Sequence, residues 1–212
     1  MKRLIFIILI ILTAKVNGQI IKNRPILWFI PSLDTRINGV GAGLFINSLK
    51  EINSDSVLST EINGLAVELI GVGFLLPLVP SNPIYFEADD FYQNDEKVDS
   101  VVKSYDLINY RINGISISGG GIGGHDINVN GLNLSGLNTL TGKTNGFSVC
   151  ILINISGVVN GVSIGGLINN SIQTKGLQIG LFNKTTRLRG FQIGLWNRNE
   201  KRNLPIINWN FK

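Results

Sequence analysis

The sequence has very little of what usually carries chemistry. Its 212 residues include one cysteine and one histidine, so neither a disulfide framework nor a Cys/His metal cluster can form. Cys150 lies in the apolar phrase FSVCILI, which indicates a small buried side chain better than a nucleophile. A chain without disulfides must be held together by its core and its backbone hydrogen bonds.

Long hydrophobic runs are also absent. The N-terminal run LIFIILIILTA has 11 residues, fewer than the roughly 20 that a spanning helix needs. It follows Met1-Lys2-Arg3, which is the layout of a signal peptide, and we expect cleavage after Gly18. An uncleaved N-terminal anchor is the alternative. A second apolar stretch, 64–79, contains three glycines and a proline, and we interpret it as a buried strand pair.

Strong charge is missing as well. The formal net charge is +5, and loss of Lys2, Arg3 and Lys15 with the signal peptide would leave +2. Nucleic-acid binding requires a clustered basic face, so we expect no nucleic-acid partner.

What the sequence does have is a repeat. The phrase KGLQIGLFN is followed 14 residues later by RGFQIGLWN. With these two, six copies start at glycines spaced by 17, 15, 15, 15 and 14 residues: Gly114, Gly131, Gly146, Gly161, Gly176 and Gly190. Degenerate copies start at Gly39 and Gly64. Within a copy, apolar residues alternate with others at the period of a β-strand. We interpret Ser148, Ser163, Gln178 and Gln192 as the outward-facing set.

A finer period of seven or eight residues lies inside the repeat. An asparagine follows most starting glycines at that distance: Asn138, Asn154, Asn169, Asn183 and Asn197. Glycine and asparagine both tolerate positive φ, so both positions are predicted to be corners of the chain.

The fold class predicted from this pattern is all-β, as a β-solenoid of 14–15-residue coils. Successive copies match in phase, and stacking in register favours such sameness. An antiparallel β-meander or a small β-barrel remains the alternative. After the signal peptide (1–18), residues 19–212 are expected to form a single domain. Within it, the acidic, aromatic segment 80–110 would be an excursion from the repeat, and LPIINWNFK a closing strand.

The apparent site motifs lack the structural context or the spacing that their chemistry requires. Gly119-x-Gly121-x-x-Gly124 and Gly142-Lys143-Thr144 resemble nucleotide-binding phrases, but no helix is expected after either. His125 with Asp126 is at most half a metal site, and His125 is interpreted as a loop or rim residue. The carboxylates Glu87, Asp89, Asp90, Asp95 and Glu96 lack the spacing of a calcium loop. We therefore predict no catalytic residue, no cofactor and no metal site.

The phrases GLQIGLFN, GFQIGLWN and WNRNEKRNLPIINWNF resemble the Gly-x-Gln-Ile-Gly-Leu surface repeats of exported proteins from Gram-negative bacteria. The resemblance is strong over 146–211, weaker over 111–145 and faint over 36–75, and the copies at Gly114 and Gly131 lack the glutamine. It implies placement at the cell surface or outside the cell. The family has no assigned catalytic residues, so none is carried over.

Together these features predict an exported, non-enzymatic β-repeat surface protein with a structural or adhesive role. Its partner would be an unidentified component of the surface or envelope, with possible association with the outer membrane. An integral outer-membrane β-barrel protein is the alternative function.

Overall fold

A computed structural model describes residues 21–32, 34–46, 60–78, 95–106 and 110–211. The predicted signal peptide and the carboxylates Glu87, Asp89 and Asp90 lie outside these ranges. The described strands are β1 (Lys22–Ile30), β2 (Thr35–Gly43), β3 (Thr60–Glu68), β4 (Tyr110–Ser118), β5 (Gly123–Ser135), β6 (Asn138–Cys150), β7 (Ile153–Gly165), β8 (Ile168–Ile179), β9 (Phe182–Arg198) and β10 (Asn203–Asn210). A 3₁₀-helix covers Gly73–Leu78, and helix α1 covers Asp95–Ser104.

The strands form a sheet in sequence order that winds as a β-solenoid of about nine turns. Strands β1 to β9 pair in parallel, each with the next coil of the chain. Parallel pairing between residues about 15 apart confirms the predicted solenoid over the antiparallel alternatives. Strand β10 alone turns back and pairs antiparallel with β9, so the chain end closes the last coil as expected.

From β2 to β9, one corner of each coil is made by the repeat glycine, whereas Ile26 takes this position in β1. All eight predicted glycines have positive φ, between 127° and 146°, and they stack on one another in register. A Cβ on Gly146, for example, would lie 2.2 Å from the carbonyl oxygen of Gly131. Glycine is required here both by the backbone angle and by the close approach of the coil before it.

The prediction that asparagine forms the second corner through positive φ is wrong. Among the described residues other than glycine, only Ile26, Asp34 and Ile206 have positive φ. The asparagines lie just after the bend and hold it from inside the coil. Asn183 shows how: its side-chain amide donates to the carbonyl of Gly180, 3.1 Å away, before the bend.

These asparagines form an interior ladder instead. Asn169 Nδ2 donates to Asn183 Oδ1, and Asn183 Nδ2 donates to Asn197 Oδ1, both over 2.8 Å. Asn138 is one position out of this ladder, because it pairs with Ile153 while Thr139 pairs with Asn154. In-register stacking pairs Asn169, Asn183 and Asn197 with the same group of the neighbouring coil, whereas Asn154 donates to the Ser148 hydroxyl over 3.0 Å.

The prediction that Ser148, Ser163, Gln178 and Gln192 face outward is also wrong. All four are buried, and both glutamines have no exposed surface. Gln192 Nε2 donates to Gln178 Oε1 over 2.8 Å, and Gln178 Nε2 donates to the Ser171 hydroxyl over 3.1 Å. Buried polar groups are tolerated when they are hydrogen-bonded in this way. The apolar members of the alternation therefore face outward.

The interior changes character along the stack. In the first five strands it is an apolar cluster that includes Ile37, Ile62, Ile112 and Val129. In the later coils, hydroxyl and amide side chains fill much of the same space. Thr141, for example, shares hydrogen bonds with Thr144 and Ser156 over 3.1 and 2.7 Å.

The apolar stretch 64–79 is not a strand pair as expected. Strand β3 ends at Glu68, and the 3₁₀-helix follows after a bend. Gly71, Gly73 and Pro77 follow the end of β3, and these residues disfavour a second strand there.

Helix α1 lies within the predicted excursion 80–110 and packs on the outside of the coils. Val98 and Tyr105 are buried against Val158 and Ile172. Two ion pairs flank this contact: Asp99 with Arg187 at 2.5 Å, and Asp106 with Lys143 at 2.6 Å. The guanidinium of Arg187 lowers the pKa of Asp99 by donating a hydrogen bond to it.

Candidate binding face

The most unusual surface of the protein is apolar and lies on the strand segments that follow the corner glycines. Two outward columns of side chains run along it, and every member of both is apolar. The first column is Leu27, Val40, Leu65, Ile115, Leu132, Phe147, Val162, Leu177, Phe191 and Trp209. The second is Phe29, Ala42, Val67, Ile117, Leu134, Val149, Ile164, Ile179, Ile193 and Ile207. We call these two columns the apolar face.

The apolar face is accessible to a ligand. Phe147 is 55% exposed, and Ile115, Ile117, Phe191 and Ile193 are each exposed by more than 40%. Nine steps between strands, at about 4.8 Å each, make the face about 43 Å long. Leucines of the next bend, among them Leu167, Leu181 and Leu195, extend the exposed apolar surface around the corner.

Local sequence explains why this surface forms. A strand places alternate residues on opposite sides, and the corner glycine fixes which residues those are in each coil. The residues at +1 and +3 after Gly176, Leu177 and Ile179, point out, while Gln178 between them points in. Because each copy keeps this spacing, the parallel register extends one apolar pair into two continuous columns.

The C-terminal end of the apolar face is bordered by positive charge. Residues 175–202 contain seven lysines and arginines and a single acidic residue, Glu200. Lys175 and Arg189 are exposed and occupy the position before the corner glycine. We call the four exposed cations of residues 175–202, Lys175, Arg189, Lys201 and Arg202, the basic end.

Exposed aromatic rings accompany the basic end. Phe182, Phe191, Trp196, Trp209 and Phe211 are each exposed by more than 40%. The guanidinium of Arg202 lies 4.4 Å from the ring centroid of Trp209, a cation–π arrangement. Aromatic, apolar and cationic groups are thus combined at one end of the solenoid.

A polar ladder runs along the corner beside the apolar face. The residue before each corner glycine is asparagine in six coils, and Asn113, Asn130, Asn145 and Asn160 each donate to the asparagine of the coil before over 2.6–2.8 Å. Asn63 donates to Asn38 over 2.9 Å. In the last two coils Lys175 and Arg189 take this place. The amide ladder therefore gives way to cations where the aromatic rings gather.

A polar cleft of about 320 Å³ lies between the end of α1 and this asparagine ladder. It is lined by Asp106, Arg111, Asn113, Asn128, Asn130, Lys143 and Asn145. The side-chain oxygen of Asn128 is buried without a hydrogen-bond partner, while its amide donates to the carbonyl of Tyr105 over 2.9 Å. These amide and cationic groups suit a small polar or anionic ligand.

The residues singled out in the sequence occupy structural positions. Cys150 is buried, and burial raises the pKa of its thiol to about 12. His125 was expected in a loop or at a rim, and it lies near the start of β5, where burial lowers its pKa and Asp126 partly opposes that shift. Strand β5 follows Gly121, and Lys143 lies within β6, so neither glycine-rich phrase precedes a helix.

The described residues contain no group of three or more His, Cys, Asp or Glu side chains that could hold a metal ion. Asp95 and Glu96 lie in the first turn of α1. In the same described ranges, no helix is long and apolar enough to cross a membrane.

Sequence reasoning missed the apolar face because it assigned the polar set to the outside. The available signal was the size of the alternating residues: serine and glutamine recur at the inner positions, while bulky Phe147 and Phe191 recur at the outer ones. No protein-family model, no curated protein and no solved structure matches the chain.

Proposed function

We propose that this protein is an exported, non-enzymatic β-solenoid of the cell surface that binds its partner through the apolar face. The observation that carries the proposal is the pair of ten-residue apolar columns, which continue without a polar interruption from β1 to β10. Exposed apolar surfaces of this extent mark sites of interaction with proteins or membranes.

The interior supports a binding role for the outside. Polar ladders at Gln178, Gln192 and the stacked asparagines stabilise the later coils by hydrogen bonding. The outward apolar residues of these coils are then not needed for a core and are presented on the surface. A rigid, regular frame of this kind loses little conformational entropy on binding.

Export is tested on the full chain expressed in a Gram-negative host. We expect the mature protein to begin at Gln19 by mass spectrometry and to react with a membrane-impermeant label on intact cells. Retention of residues 1–18 on a protein found in the cytoplasm would contradict the proposal.

Binding through the apolar face is tested by retention of the purified protein on a phenyl-substituted matrix. Ile164→Thr/Ile179→Thr keeps β-branched side chains suited to a strand but lowers the hydrophobicity of the face, and we expect weaker retention. The matched control, Ile21→Thr/Leu75→Thr, changes exposed apolar residues away from the face. Equal retention of the two double variants would contradict binding through this face.

A further inference from the structure

We infer that the ligand of the apolar face is an anionic phospholipid surface, on which the solenoid lies with its C-terminal coils anchored by the basic end. This inference rests on the proposed function, because it names the partner of the same face. The apolar columns would contact acyl chains, the aromatic rings would lie at the membrane interface, and the cations would bind phosphate.

The apolar face is suited to lipid because, apart from the indole N–H of Trp209, it offers no hydrogen-bonding side chain. Protein interfaces carry about one hydrogen bond per 100–200 Å² and a polar rim, whereas the two columns hold only apolar residues. In β2–β9 the backbone groups beneath these side chains pair with a strand on each side. A face without unpaired polar groups can enter an apolar medium without losing hydrogen bonds to water.

The exposed cations favour an anionic surface as the partner. Within residues 175–202, Lys175, Arg189, Lys201 and Arg202 are exposed, and Glu200 is half-buried with its side chain hydrogen-bonded to the Leu188 amide. Basic residues beside an anionic membrane contribute about a fivefold gain in binding each. The same clustered charge would repel a second copy that aligned its basic end with this one.

The aromatic residues lie where a membrane interface would meet the protein. Trp209 is in the first column of the face itself, and Trp196 lies around the next bend, both more than 40% exposed. Tryptophan is enriched at the boundary between headgroups and acyl chains, because its ring is apolar with a polar edge. Arg202, stacked on Trp209, places a cation beside that ring.

The experiment is vesicle flotation of the mature protein with tryptophan fluorescence recorded in parallel. Two vesicle types are compared: phosphatidylcholine alone, and phosphatidylcholine with phosphatidylglycerol as a minor component. We expect preferential binding to the anionic vesicles, weakened by salt, with a blue shift of the emission. Equal binding to both vesicle types would overturn the role of the basic end.

Two pairs of variants separate the contribution of the basic end from that of the apolar face. Lys175→Gln/Arg189→Gln is expected to lower affinity for anionic vesicles by about 30-fold. Its control, Lys22→Gln/Arg111→Gln, removes the same charge from β1 and β4 and should change this affinity much less.

Ile164→Thr/Ile179→Thr should lower the affinity for anionic vesicles by at least about tenfold, and Ile21→Thr/Leu75→Thr should not. An equal effect within either pair would overturn the proposed orientation.

A second copy of the chain is the competing occupant. Light scattering across a range of protein concentrations without lipid would reveal it as a dimer that Ile164→Thr/Ile179→Thr dissociates. Such a dimer, together with no vesicle binding, would overturn the lipid inference. Export and phenyl retention would still stand in that case, whereas failure of export would remove the proposed function itself.

Discussion

The coils of β2–β5 and those of β6–β9 share the same glycine corner around interiors of different composition. One inner column shows this directly: Ile37, Ile62, Ile112 and Val129 are followed by Thr144, Val159, Thr174 and Leu188. A neighbouring inner column passes from Ala66 through Ser116 to Asn133, Ser148, Ser163, Gln178 and Gln192. The glycine corner and the outward apolar columns do not change across this boundary.

The fold of the coil therefore depends more on its corner glycine and its strand register than on an apolar core. An isolated polar side chain inside a coil would be destabilising. In-register neighbours remove that penalty by hydrogen bonding to one another, as Gln192 does with Gln178. The polar half therefore depends on having several copies in succession, whereas the apolar half resembles an ordinary core.

The largest expected effect comes from the feature that both halves share. Gly64→Ala and Gly161→Ala place a Cβ 2.3 and 2.1 Å from the preceding glycine's carbonyl oxygen at φ near +137°. We expect each variant to lose at least about 4 kcal/mol of unfolding free energy or to fail to fold. Denaturant melts measure this. A mild effect in one half only would show that the corner is not a common element.

The inner column gives the sharpest contrast between the halves. Ile112→Ala should lower the free energy of unfolding by about 3 kcal/mol, because it leaves a cavity in the apolar cluster. Thr144→Ala, two coils further on, should cost about 1 kcal/mol through a lost hydrogen bond with Thr141. Chemical denaturation compares the two. Equal losses would indicate that the interiors are energetically alike.

The halves also differ in how their stability responds to pH. Burial raises the pKa of Glu68 from 4.5 to about 7, so its stabilising protonated state is lost as pH rises through that range. Cys150, two coils beyond Ser118 in the same inner column, has a thiol pKa near 12 and stays neutral. We therefore expect the unfolding free energy to fall by up to about 3 kcal/mol between pH 4.5 and 8.

The control for this prediction is Glu68→Gln, which keeps polar atoms near the Ile46 amide and the Ser118 hydroxyl that bind the carboxylate. Its unfolding free energy should change less over the same pH range. The difference between wild type and variant isolates Glu68 from His125, whose lowered pKa acts in the opposite direction. Parallel pH profiles would contradict the assignment.

The smallest effect is expected at the boundary between the two interiors. Ser116 lies between Ala66 and Asn133 in the inner column, and its buried hydroxyl has no hydrogen-bond partner. Ser116→Ala removes this group and should raise the free energy of unfolding by about 1 kcal/mol. Thermal unfolding followed by circular dichroism measures it. A lower free energy of unfolding in the variant would show that the Ser116 hydroxyl makes a stabilising hydrogen bond.

The fold could be predicted from the sequence because its signals are local. Gly146, Gly161 and Gly176 recur at the coil length, and matching copies imply stacking in parallel. Which side of each strand faces inward could not be predicted in the same way. A single copy containing Gln178 does not show that Gln192 will lie against it, so the polar residues were assigned to the surface by their individual preference.

The candidate face could not be predicted for the same reason. Leu177 and Ile179 alternate with Gln178 and so share one side of a strand, but an apolar side is normally buried. Asn183 was assigned to a corner by its tolerance of positive φ, whereas its side chain supports the bend through hydrogen bonds. Both errors concern interactions between coils, which sequence alternation within one coil does not contain.

The most direct test of the account is thiol labelling at two adjacent positions in a Cys150→Ala background. Phe147 is 55% exposed on the apolar face, and Ser148 is fully buried in the polar interior. The account predicts that the Phe147→Cys variant of the folded protein reacts rapidly with a maleimide, while the Ser148→Cys variant reacts only after denaturation. Rapid labelling at 148 with protection at 147 would contradict it.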